Sequence, residues 1–475
     1  MFSRPILLLL AAALLSGALI AIRPRPQRAD LTIWVFSADH ARELTSPYLQ
    51  AGKLRPALID QYREQTGKSV AVELIGGRGL DTRLLSLLSE PDAPQVRDLL
   101  PDLVEIEIGS VGQYLRSPAA DVPLLPLDRF LDANGLRRRL ATQRLATWSR
   151  DGTVFGLPLD VHPVALVYRS DLFYQAGVDL DSVATWPQLR TACQHFTDYW
   201  RSHGFPQRTA LALHRSNVDE LLMMLQQRHI SPLTADGQSR LDNPLVAQTI
   251  AFYATLVSSP DDQPPIAADP TPGPGRWAAD VDRGDRCAAL VPDWAIADLW
   301  DMSQFAKSHD LHPPPTLRMR TIPLFEPGDA PTASWGGTAA AIVRRARNPQ
   351  ASWDLLQFLY CSPASAAAQR YFEPDLLSAF PDQWKTIGPS GWADRLFYPQ
   401  QIRQMFSDLA VQLPPRIVSP FGLLANLELS KALAAAVAAR QAGADEQTLT
   451  RIAADSLRQG SAELRQQIDF EKLAP

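Results

Sequence analysis

The sequence predicts an α/β fold with a parallel sheet, in a body of two domains or two lobes. Three observations carry this. At 475 residues the chain exceeds the size at which one hydrophobic core keeps growing. Strand-like and helix-like periodicities alternate from residue 31 and resume after residue 153, the grammar of a sheet covered by helices. The proline-rich stretches at 258–275 and 312–315 are too stiff and polar for core elements and read as loops between such units. With 46% hydrophobic and 20% charged residues, the composition is that of a folded, not a disordered, chain.

Each element follows from its pattern. Leu31 to Phe36 is a short apolar run closed by the polar Ser37-Ala38-Asp39-His40, a strand leading into a turn. Leu54, Ala57, Leu58 and Tyr62 recur at helical spacing before Gly67 ends the segment. Val70 to Ile75 is a second strand, Asp81 to Ser89 a leucine-rich helix, and Leu103 to Ile108 a third strand, which completes βαβαβ. Two apolar runs, Val154 to Leu159 and Val164 to Tyr168, flank Asp160-Val161-His162-Pro163, so ionisable groups interrupt what would otherwise be buried strand. Near the end, Leu427, Ala434, Val437 and Ala438 share one helical face, Gly443 stops that helix, and Leu449, Ile452, Leu457, Leu464 and Ile468 mark a second one. Such a pair reads as a clasp over an existing core.

The N-terminus reads as an export signal, because Arg4 precedes an apolar run from Ile6 to Ile22 that stops at Arg23-Pro24-Arg25-Pro26. Small residues at Ser16-Gly17-Ala18 offer a cleavage site, while the run is also just long enough to span a bilayer. Residues 1–29 are therefore a signal peptide or a signal anchor, and the chain is expected in the periplasm or on the outer face of the cytoplasmic membrane. The absence of Cys from this segment excludes a lipoprotein anchor. A formal net charge of −5 argues against nucleic acid as a partner. Cys193, Cys287 and Cys361 are too few and too scattered for a disulfide framework and read as buried thiols.

Catalytic and cofactor motifs fail on spacing. "GKS" at 67–69 lacks the upstream glycine of a phosphate-binding loop, and "GGRG" at 76–79 lacks the last glycine of a dinucleotide fingerprint. His309 and His312 stand at the wrong interval for a metal pair, and no Gly-x-Ser-x-Gly elbow exists. No cofactor and no metal are expected.

What remains is a set of carboxyl, imidazole and aromatic groups at strand ends, where ligands bind in open α/β sheets. Ser37, His40, Glu105, Glu107, Asp160 and His162 follow or close strand-like runs, and Asp293-Trp294 and Trp335-Gly336-Gly337 border two more. Indole faces stack on sugar rings while carboxylates and imidazoles bind hydroxyls, so this inventory suits a carbohydrate or polyol. Trp384, Trp392 and Tyr398 are further aromatic candidates, and Arg78 is the obvious arginine for a charged ligand.

"PDLVEIEIGSVGQYL", "DGTVFGLPLDVHPVALVYRSDLFYQAGVDLDSVATWPQL", "AALVPDWAI" and "WGGTAAAIVRRARNPQASWDLLQFLYCSPASAAAQ" follow one another in an order that resembles the extracellular solute-binding proteins of ABC importers, the family of the maltose, maltodextrin and trehalose binders. The resemblance spans nearly all of residues 31–470. It implies a type II periplasmic-binding-protein fold with discontinuous lobes, hinge strands and a C-terminal helical segment. By similarity lobe I comprises 30–112 and 338–398, and lobe II comprises 113–337 and 399–475. It further implies that the segment after Gly156-Leu157-Pro158 presents Asp160 and His162 to the solute. Glu107, Trp294 and the turn Trp335 to Gly337 match cleft positions. The implied function is capture of a small solute by a monomeric receptor that delivers it to ABC permease subunits, with no catalysis. A sensor for a membrane signalling partner, or a glycoside hydrolase using Glu105, Glu107 and Asp160, are the alternatives.

Overall fold

Leu31–Val35 (β1) is buried along its whole length, as the unbroken apolar run requires of a strand covered on both faces. This computed structural model describes residues 29–473 apart from the short stretches 90–92, 235, 261–262, 274, 311–314 and 387–392. After β1 come helix α1 (Ala38–Thr45), helix α2 (Leu58–Thr66), β2 (Val70–Leu74), helix α3 (Gly77–Ser89) and β3 (Leu103–Glu107). Gly67, in the left-handed region at φ 73°, ends α2. The expected βαβαβ unit is therefore present, with β1 parallel to both β2 and β3.

Two five-stranded sheets organise the molecule. The first has the order β2-β1-β3-β11-β4, where β4 is Leu157–Pro158 and β11 is Thr338–Ile342, and β11 runs antiparallel to both of its neighbours. The second is built on β6 (Val164–Arg169), which pairs antiparallel with β9 (Ala288–Pro292) and β10 (Leu317–Arg320). It is completed by the two-residue strands β7 (Leu211–Ala212) and β8 (Ala267–Ala268). Between the sheets, β5 (Asp160–Val161) pairs with β12 (Leu377–Ser378).

The cores show how the chain divides. Leu31, Ile33 and Leu103 pack with Leu127, Phe130, Leu145 and Val154, and Trp34 packs with Leu124, Trp148 and Phe155. Residues 122–157 thus build the first lobe, where the family resemblance had placed them in the second. The second lobe's core joins Val164 and Leu166 to helix 186–202, helix 244–257 and the terminal helices. Thr185 and Gln188 form a reciprocal capping box at the start of helix 186–202.

The terminal helices, Gly422–Gln441 and Glu446–Leu473, do cover that core, but through a different face of the first helix. Ala425, Leu429, Ala432, Leu433 and Ala436 are buried, while Leu427, Ala434 and Ala438 are exposed. An alanine-rich helix carries apolar residues all round, so periodicity alone could not choose the face. Cys193 and Cys287 are buried and Cys361 is partly buried, all three free.

Candidate functional site

A cavity of about 840 Å³ opens between the two lobes, in the upper part of the range for small-molecule sites. The first lobe contributes Phe36 after β1, Arg78 and Asp81 on α3, and Glu105 and Glu107 on β3. The second contributes Asp219, Gln226 and Ile230 around helix 219–227, and the turn Ser334-Trp335-Gly336. A third wall comes from the irregular segment after helix 402–410, through Arg416, Ile417 and Val418, and from Asn426 beyond it.

The strand-end residues divide into two groups. Glu107, Trp335 and Gly336 reach the wall, and Glu105 reaches it from a buried position. Trp294, expected in the cleft, is not among the residues lining this cavity; 45% exposed, it stands behind the turn, edge-on to Trp335, with ring centroids 6.3 Å apart at 73°. Its indole N–H donates to the Trp335 carbonyl at 3.2 Å. The burial of Glu107 pushes its carboxyl above the usual range.

The second group is buried behind this wall, and the expectation that Asp160 and His162 face the solute is corrected accordingly. His162 places its two ring nitrogens on two carboxylates, Nδ1 at 2.8 Å from Asp293 Oδ1 and Nε2 at 3.2 Å from Asp160 Oδ2. Only an imidazolium can donate through both nitrogens. Asp160 Oδ1 also accepts from Arg144 Nη2 at 3.1 Å and from the Thr338 amide at 2.9 Å. Asp293, 1% exposed, accepts from the Trp294 amide on Oδ1 and the Leu377 amide on Oδ2. Every carboxylate oxygen of the pair is engaged, none toward the cavity. Burial works against the charge on His162, but Asp160 and Asp293 outweigh it and lift its pKa to about 10. Burial likewise opposes the Asp160 carboxylate and is outweighed by His162 and Arg144, so its pKa falls below the usual range. Burial of Asp293 pushes its carboxyl up.

This network joins the three segments that pass between the sheets: 158–164, 334–338 and 372–380. The Trp-Gly-Gly turn lies directly on it. A Cβ on Gly337, at φ 138°, would sit 1.8 Å from Arg144 Nη2, and one on Gly336, at φ 90°, would sit 3.3 Å from the His162 ring. Glycine is required there by close approach as well as by backbone conformation.

His40 and Ser37 are also structural. Ser37 caps α1 by accepting the Asp39 amide. His40 Nδ1 lies 2.7 Å from Glu105 Oε2, and the Tyr360 hydroxyl donates to Glu105 Oε1 at 2.7 Å. Burial opposes the charge on His40, and Glu105 outweighs it, raising the pKa to about 10. Tyr398 is 82% exposed and outside the cavity wall. Trp384 is partly buried and donates to the Ser378 carbonyl at 2.8 Å. Trp392 lies outside the described residues. Among the described residues no cluster of His, Cys, Asp and Glu has a metal-binding arrangement.

Sequence reasoning missed Gln226, Asp219, Asn426 and Arg416. Arg416 had one visible mark, a cation in the proline-bounded stretch "LPPRIVSP". The other three look like ordinary surface-helix residues.

Residues 57–376 match the family model for bacterial extracellular solute-binding protein. An arabinooligosaccharide-binding protein of Bacillus subtilis is 21% identical over 340 residues, 69% of this chain and 68% of that protein. Among solved structures, the sugar-binding protein MalE from Xanthomonas citri superposes with a TM-score of 0.68 at 15% identity, over 94% of this chain and 100% of that one. An ABC transporter solute-binding protein from Thermotoga lettingae, bound to α-D-tagatose, superposes with a TM-score of 0.65 at 16% identity, over 91% and 99%. The chain belongs to the bacterial extracellular solute-binding protein family, and its fold is the two-lobed one of the periplasmic sugar binders.

Proposed function

We propose that this family member is an exported receptor that captures an oligosaccharide between its lobes and delivers it to an ABC-type permease. The observation that carries the reading is the cavity itself. Both lobes line it, and it combines an indole and a phenyl ring with carboxylates, amides and guanidinium groups. Rings offer stacking faces and the polar groups match hydroxyls, the combination a sugar needs. A volume near 840 Å³ suits several sugar rings better than one. The sugar-binding relatives support the same class of solute.

The lobes turn about the crossings at 158–164, 334–338 and 372–380, so the first lobe runs from residue 29 to about 158 and takes back 338–372. Binding without turnover is the reading, because of the three carboxylates a hydrolase could have used, Glu105 and Asp160 are committed elsewhere and only Glu107 stays at the wall. Glu105 has both oxygens bonded, to His40 and Tyr360, and Asp160 and Asp293 are locked in the buried network.

Titration calorimetry of the purified protein against arabino-oligosaccharides, malto-oligosaccharides and β-1,6-galactobiose tests this. One-site binding of at least one, with a change in tryptophan fluorescence and no product, is the expected result. No heat and no fluorescence change across the panel would remove the carbohydrate assignment.

A further inference from the structure

Residues 411–421 form an irregular strap between helix 402–410 and helix 422–441. Its anchors are unusually explicit. Leu413 is buried in the core beneath the second sheet, and the Pro414 carbonyl accepts from Gln226 Nε2 at 3.4 Å. Val418 packs on the first lobe's core, while Phe421 is buried in the second lobe's. Between them Gly112 brings its backbone so close to the strap that a Cβ there would meet the Ser419 carbonyl oxygen at 2.3 Å. The strap is thus fastened to both lobes, and Arg416 projects from its middle into the cavity.

Arg416 differs from the neighbouring arginine. Arg144 is bonded to the Asp160 side chain and carbonyl, whereas Arg416 has no hydrogen bond or ion pair among the described residues. Burial lowers its pKa to about 10 and Arg144 adds to the effect, against the pull of Glu107 and Asp219, so it is charged at neutral pH. Glu107 reaches the cavity from the first lobe and Asp219 from the second, both beyond ion-pair distance of Arg416. A partly buried guanidinium without a partner is costly unless a ligand supplies oxygens.

We infer that Arg416 is the specificity-determining side chain of the cavity, binding a pair of adjacent hydroxyls on a neutral ligand whose O–H groups are accepted by Glu107 and Asp219. The inference rests on the proposed sugar-binding reading and narrows it. A guanidinium fork matches two neighbouring oxygens. A hydroxyl can accept from that fork and donate to a carboxylate at once, which a carboxylate ligand cannot do. An anionic sugar would set its charge against Glu107 and Asp219, and a cationic one would face Arg416 and Arg78.

The test is titration of wild type, Arg416→Ala and Arg416→Lys with arabinotriose and maltotriose as neutral probes and trigalacturonate as an anionic one. Wild type is expected to bind a neutral probe and not trigalacturonate. Arg416→Ala should weaken that binding about 10- to 100-fold, the scale of a charged hydrogen-bonding group removed. Arg416→Lys should keep the charge, lose the fork and fall between the two. The melting temperature of unliganded Arg416→Ala should not drop, because the side chain holds nothing in the protein. Neutral-probe affinity within about twofold of wild type in Arg416→Ala, tighter binding of trigalacturonate, or a lowered melting temperature with unchanged affinity would each overturn the inference and leave the sugar reading standing. Failure of wild type to bind any of the three would take both down together.

Discussion

Two regions of this molecule use the same residue types to opposite ends. In the buried network at the crossings, one arginine, one imidazolium and two aspartates satisfy one another completely. A few residues away, on the cavity wall, Arg416, Glu107 and Asp219 face each other without pairing. Charge that is consumed inside the protein builds structure, while charge held apart by rigid backbone is left for a ligand. What separates the two cases is distance and burial, not chemistry.

The sharpest way to break this comparison is to remove one member of the buried network. Asp293→Ala would leave His162 Nδ1, the Trp294 amide and the Leu377 amide without an acceptor. It should cost about 3–5 kcal/mol of stability, as truncating one partner of a buried ion pair does. His162→Ala should cost a similar amount by leaving buried Asp293 without a cation and Asp160 with Arg144 alone. Urea unfolding followed by far-ultraviolet circular dichroism measures both, and an unchanged midpoint would mean that the network is not structural.

A gentler probe of the same region is pH. His162 holds its proton to about pH 10 when folded but releases it near 6.5 when unfolded. Its stabilising contribution is therefore complete below pH 6.5 and lost as pH rises through about 10. His40 behaves alike. Burial pushes the Glu43 carboxyl up to about 8, with Glu373 adding to the effect, so its titration also lowers stability, but only up to that pH. Between pH 8 and 10 the decline in urea midpoint should come from the two histidines together with Cys193, Cys287 and Cys361, whose thiols burial pushes up, and His162→Gln should remove its own share of that slope. An equal slope in the variant would move the effect elsewhere.

The cavity wall should respond chiefly in affinity. Trp335→Ala should weaken oligosaccharide binding by about 1–2 kcal/mol through lost ring stacking, whereas Glu107→Gln should cost about 1 kcal/mol by replacing a charged acceptor. Unliganded Glu107→Gln should unfold near the wild-type midpoint, whereas Trp335→Ala should also lose some stability, because its ring packs on the second lobe's core. Smallest of all, Tyr398→Ala should change stability and affinity by less than about 0.5 kcal/mol, since an isolated exposed ring contributes little. A binding defect there would show that the ligand extends well beyond the cavity.

The alternation of apolar runs and helical spacings was enough to read the α/β class, the first βαβαβ unit, the strands at 164, 288 and 339, and the terminal helical pair. Local period reports on which face is buried, and these segments obey it except for the first terminal helix, whose alanine-rich sequence is apolar all round and hides its buried face. Strand ends were also legible as the place where functional groups collect. The chain could not state by itself which of those groups meet each other. Asp160, His162 and Asp293 are separated by up to 133 residues, and only the packing of the two sheets decides that they neutralise one another while Glu107 and Trp335 remain at the wall. Arg416 enters the cavity because a strap without regular structure is pinned to both lobes by Val418 and Phe421. Periodicity describes a segment's own burial, whereas a site assembled from segments hundreds of residues apart is fixed by long-range contacts that leave no periodic trace.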